Sequence, residues 1–301
     1  MHPKTAFTIL ITLLLPSGCA RDEPAGPTAA TVAHVKAAAT SKIAFARGGN
    51  IYTIAPDGSE ETRLTTYAPS SRHNPSWSPD GSMIVFQRAT DDFFNHDLFR
   101  INADGSGETQ LTATASESEQ YPSWSPDGQH IAFTAVADGG LQIFVMNLNG
   151  SARKQLTTPP GQSFHPTWSP RGRLAFSTDR DGNWEIYAMN RGGSRLTRLT
   201  NSPGADFAPS WSPDGQRIAF EHEGQIHVMN ADGSSAANLG AGSGIDPSWS
   251  PDGQKLAFTC EGNDRFTQEI CVMNADGSGI VRITDNTAQE NHPSWSPGMR
   301  H

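Results

Sequence analysis

The chain is poor in cysteine, in basic residues and in long apolar runs. Three cysteines in 301 residues leave room for a disulfide but not for a densely stapled scaffold. Lys and Arg number 22 against 31 Asp and Glu, a formal net charge of −9, which speaks against binding nucleic acid or anionic lipid by charge. Past residue 15 no apolar stretch approaches the roughly 20 residues that span a bilayer. No long helical period is present either. A G-x-S-x-G elbow and a P-loop are both missing, and the length leaves no space for an appended peptidase domain.

What is present begins with an export signal. Lys4, an apolar run AFTILITLLL and small residues around Gly18 make a signal peptide over residues 1–18. Leu15-Pro16-Ser17-Gly18-Cys19 resembles a bacterial lipobox, with Pro16 where Leu is usual. Cys19 is therefore the expected lipidation site, and ordinary cleavage after Ala20 is the alternative. Residues 19–40, rich in Ala, Thr and Pro, read as a flexible tether. Ala20 after the cysteine carries no inner-membrane retention signal. The expected location is the periplasm, with an outer-membrane lipid anchor as the only membrane contact.

Residues 74–86, NPSWSPDGSMIVF, return as YPSWSPDGQHIAF, APSWSPDGQRIAF and DPSWSPDGQKLAF. Trp-Ser-Pro recurs at Trp77, Trp124, Trp168, Trp211, Trp249 and Trp295, spaced 38 to 47 residues apart. Self-similarity at that period marks a propeller array. Each unit holds four short β-like runs: PSWS, then IAF-type, then IYxM-type, then RLT-type. SPDG and NADGS supply the turns, with Pro pre-setting φ, Asp bonding the turn backbone and Gly taking the positive φ. The prolines at 75, 122, 166, 209, 247 and 293 are expected to open the first strand of each unit. The first unit, starting near Ser41, lacks its PSWS strand, and the final HPSWS at 292–296 would supply it. The prediction is an all-β, six-bladed propeller of four-stranded blades over 41–301, closed by the C-terminal strand pairing into the N-terminal blade.

The units PSWSPDGxxIAF and IxVMNADGSGxxxLT resemble the TolB-type propeller family, the WD40-like Pro-Asp repeat, over nearly all of 41–296. The resemblance implies a non-catalytic periplasmic binding or scaffold protein. It also implies a protein or peptide partner docked on the propeller, an envelope protein such as a peptidoglycan-associated lipoprotein. TolB carries an N-terminal α/β domain, and here only the short tether stands in that place, so a role tied to that domain is not carried over. A monomer without nucleic-acid contacts is expected.

Blades can be compared within the chain. The SPDG and ADGS connectors are nearly uniform, with Arg171 in SPRG the departure. The connectors before each PSWS run, and those between the second and third runs, vary strongly and should share one face around the channel mouth. Residues just before each inner strand should ring that mouth, beginning with His73, Asn74, Gln120, Tyr121 and Phe164. His165, Phe207, Asp246, Asn291 and His292 complete it. This aromatic and polar mix suits an inserted peptide; plain solvated loops are the alternative.

His73, Gln120, His165 and His292 resemble the three-His-and-Gln metal set of some TolB-like uronate lyases; that resemblance implies a metal-assisted polysaccharide lyase or glycan-binding propeller as the alternative function. No basic group is poised for proton abstraction, and the expectation is no metal, no cofactor and no enzyme. Asp179, Asp181, Asn183 and Glu185 alternate like a calcium loop but fall in a tight hairpin. His222 and His227 have the wrong spacing for a helical zinc motif. Cys260 and Cys271 flank one loop, as a disulfide or as two small half-buried hydrophobes.

Overall fold

The computed structural model describes residues 41–66, 71–90, 95–114, 117–263 and 267–298. The signal peptide, Cys19 and the tether lie outside the described residues, as do 299–301. Six four-stranded antiparallel sheets are arranged as blades. Their innermost strands are Arg72–Trp77, Glu119–Trp124, Ser163–Trp168, Asp206–Trp211, Gly244–Trp249 and Glu290–Trp295.

The second strands carry the I-A-F core. Phe45, Phe86, Phe133, Phe176 and Phe258 are fully buried, as are the aliphatic residues two positions earlier. These strands are covered on both faces, which is why they read as continuous apolar runs rather than alternating ones. Each apolar cluster spans two blades: Ile43, Phe45 and Ile54 of the first pack on Ala257, Ile270 and Val272 of the sixth. Ile51 of the first packs on Ile84 and Phe86 of the second. Neighbouring blades thus share their cores around the ring.

Closure follows the expected route. The strand Ile43–Arg47 pairs antiparallel with Glu290–Trp295, setting Ile43 opposite Trp295 and Arg47 opposite Glu290. Ser296 N–H donates to Lys42 O at 2.7 Å, and the Arg47 guanidinium pairs with the buried Glu290 carboxylate. The first blade accordingly has its four strands, and the ring is left with short, protected edges.

The turns at one end of the ring are tied by their aspartates. Asp80, Asp127, Asp214 and Asp252 each accept a backbone N–H two residues on in the first turns. Asp57, Asp104, Asp232 and Asp276 do the same in the second turns. These bonds hold most of the carboxylates below their ordinary range, as at Asp80 and Asp276.

The prolines do not open the inner strands. They are the fourth residue of each and lie within a β-bulge. The rim residues therefore belong to the strands themselves.

Candidate functional site

The bulge recurs in all six inner strands and has one backbone signature. Asn74, Tyr121, His165, Ala208, Asp246 and His292, each directly before the proline, have φ between 47° and 54°. Left-handed φ is rare outside glycine and is strained for such side chains. A bulge re-aims the side chain that it carries; here all six line a cavity of about 160 Å³ at the ring axis. The strand–strand register shifts at the same place in each blade.

Around this throat the variable connectors meet. Asn95 Nδ2 donates to Thr114 O at 2.8 Å, and Asn183 Nδ2 to Ser202 O at 2.8 Å. Each bond ties a second-to-third-strand connector to the connector entering the next blade, so both sets share this end of the ring.

An aromatic cluster occupies one side of the mouth. Tyr121 meets His165 edge-on at 4.0 Å between ring centroids, and Phe164 lies 6.0 Å from Tyr121. Phe164 contacts Trp184 at 4.6 Å and Phe207 at 5.6 Å. His292 sits 6.3 Å from Tyr121 and 6.4 Å from His73. Asn291 Oδ1 faces His292 Nδ1 at 2.8 Å, and Asp246 Oδ2 is 3.6 Å from His292 Nε2. Asn74 donates to Gln87 Oε1 at 2.5 Å, which also accepts the Tyr121 N–H.

Gln120 donates from its amide to Ser118 Oγ at 2.9 Å. Among the described residues no group of three or more His, Cys, Asp and Glu is arranged to hold a metal ion. The alternating acids of 179–185 are engaged locally: Asp179 accepts from Gln162 N–H, Asp181 from Tyr187 and Glu185 from Thr200.

The electrostatics are set by burial. His73 and His292 are lowered to about 4, His73 also by its imidazole neighbours, and His165 is pushed well below the ordinary value. Asp246 and Glu221 are both raised to about 7 by burial, Glu221 further by Asp246. Tyr121 rises to about 12 for the same reasons. The mouth therefore presents neutral imidazoles, ring faces and two acids poised near neutrality. It carries hydrogen-bonding capacity and apolar surface.

Trp184 and Glu221 were missed from sequence. Glu221 follows the I-A-F run, where the other blades hold Ala46, Gln87, Thr134, Ser177 and Thr259; that column alone would have exposed it. Trp184 is the seventh tryptophan, outside the repeat. Also missed was the opposite mouth, a funnel of about 470 Å³ lined by the six repeat tryptophans and their prolines. Cys260 and Cys271 are joined in a disulfide, Cα–Cα 5.9 Å.

Ring, throat and rim define a closed six-bladed β-propeller with a built site at one mouth. The TolB beta propeller domain matches residues 95–297, and the chain belongs to that family. Among solved structures it is similar to TolB from Acinetobacter baumannii (TM-score 0.74, 20% identity), covering 86% of this chain and 67% of that one. A chain of a nidogen/laminin complex superposes with TM-score 0.73 at 13% identity, 86% and 100% covered. For a putative TolB from Agrobacterium tumefaciens the values are 0.53 and 16%, with 85% and 97% covered. At these identities the likeness is one of fold. The comparison with curated proteins finds no match.

Proposed function

We propose that this chain is a non-catalytic, exported binding propeller that takes a peptide or loop of an envelope protein into the channel mouth. The observation that carries this reading is the throat: six strained pre-proline positions aim side chains at one axis, beside a rim of Tyr121, Phe164, Trp184 and Phe207. Clustered aromatics around a desolvated centre are what binding hot spots are made of. The family shared with TolB supports a periplasmic location, and the 1–18 signal with Cys19 supports a lipid anchor. A peptidoglycan-associated lipoprotein is the partner class that the family favours.

The test is a photo-crosslinking residue at Phe207 in the full chain, expressed in cells, with adducts identified by mass spectrometry. A single envelope protein crosslinked to the chain, and lost on Phe164→Ala/Trp184→Ala at unchanged Tm, is the expected result. Adducts that persist in that double variant would place binding elsewhere. Radiolabelled palmitate on the wild type and none on Cys19→Ser is expected for the anchor.

A further inference from the structure

The turn end opposite the mouth is acidic except in one sector. Four first turns and four second turns carry the aspartates described above. Three turns in succession depart from that rule. The second turn of blade three has Asn149, the first turn of blade four has Arg171, and its second turn reads Asn190-Arg191-Gly192-Gly193.

Asn149 keeps the turn bond, accepting from Ser151 N–H at 3.1 Å, whereas Arg171 gives up a side-chain bond within its turn. In other blades the Ser of the first turn donates to the turn aspartate, as Ser78 does to Asp80 at 2.6 Å. Ser169 keeps only the Arg173 N–H, at 2.9 Å. Residues that break a rule obeyed elsewhere in the same chain point to a role other than folding.

What replaces the acids is a cationic cluster. Arg171, Arg191 and Arg195 are exposed, Arg173 is half-buried, and exposed Lys154 of blade three reaches Gly192 O at 3.4 Å. Asp127 engages Arg191 at 3.1 Å. Among the described residues Arg171, Arg173 and Arg195 form no ion pair. Leu196, at 41% one of the most exposed large apolar residues, adjoins Arg195. On the other side Pro170, next to Arg171, is part of the wall of the tryptophan-proline funnel.

We infer that this sector, Lys154, Arg171, Arg173, Arg191 and Arg195, is a second docking surface, one that takes an acidic peptide segment with apolar side chains. Guanidinium forks match carboxylates in plane and hold them bidentately. Leu196 and the funnel edge give apolar side chains a place beside the charges. A flat anionic bilayer would have to approach the whole turn end and meet eight aspartates as well as the arginines. A slender segment crosses blade four alone. The surface lies at the opposite end of the ring from the aromatic mouth and stands independently of it.

The experiment is fluorescence anisotropy of a labelled peptide of repeated Glu-Leu-Glu-Pro against the full chain, at low and physiological salt. Arg171→Asp/Arg195→Ala is the variant. Its first change restores the turn residue of four other blades, so its Tm should match or exceed the wild type. The expected results are saturable binding that weakens with salt, and a Kd raised about tenfold in the variant, the size for losing two partly exposed pairs. A matching Lys-Leu-Lys-Pro peptide should not bind, and Phe164→Ala/Trp184→Ala should bind the acidic peptide as the wild type does. Equal affinity in the arginine variant, or no binding of the acidic peptide, overturns the inference. Arg171-dependent retention on phosphatidylglycerol vesicles or on polygalacturonate, stronger than peptide binding, overturns the assignment to a peptide.

Discussion

Replacing Asp246 by Asn should stabilise the propeller, and only above a definite pH. The carboxyl lies in the throat with a side chain 14% exposed, and burial raises its pKa from 3.8 to about 7. The folded chain therefore binds a proton that the unfolded chain has released, so stability falls as pH rises from about 4 to about 7. Below about pH 4 both states are protonated and the penalty vanishes; above about 7 it is complete and constant. A shift near three units at 1.36 kcal/mol each sets an upper bound of roughly 4 kcal/mol. Water at the open mouth reduces this to about 2–3 kcal/mol. Asn keeps the shape without the charge. Guanidinium unfolding of wild type and Asp246→Asn at pH 4, 6 and 8 should give a difference near zero, then rising, then full. His73 and His292 titrate in both proteins and work in the opposite direction, losing stability as pH falls from 6.5 towards 4, so the comparison cancels them. A variant less stable than wild type at pH 8 would refute the reasoning. It would mean that Asp246 is ionised and paired with a protonated His292 across their 3.6 Å separation.

Three further outcomes follow from the ring. A chain ending at Ala288 loses the inner strand of the first blade and should aggregate or unfold; a soluble monomer with wild-type Tm would show that the ring does not depend on that strand. Phe133→Ala empties a fully buried site shared between blades and should cost about 3–5 kcal/mol in denaturant unfolding. Cys260→Ala/Cys271→Ala opens a loop of sequence separation 11 and should cost about 2–3 kcal/mol, with the wild type falling to the same stability in reductant.

The blades were legible because each core column repeats six times: the I-A-F burial, the turn aspartates and the missing first strand all follow from aligning the chain with itself. The rim was legible in part. The pre-proline column identified Asn74, Tyr121, His165, Asp246 and His292; Asn, His and Asp favour left-handed φ more than other side chains do, but Tyr and Ala in the same column blur that signal, so the bulge and the true place of Pro75 and its equivalents stayed hidden. The tryptophan-lined mouth escaped for the opposite reason, since residues identical in every blade read as scaffold.

That repeated bulge separates direction from identity. The backbone on either side of each throat position decides where the side chain points, so Asn, Tyr, His, Ala, Asp and His fill six equivalent places with equal aim. A substitution there rewrites a sixth of the throat lining without altering the backbone that aims the other five. Selectivity in such a ring is thus adjustable one position at a time, and copying a blade copies a correctly pointed place for the next one.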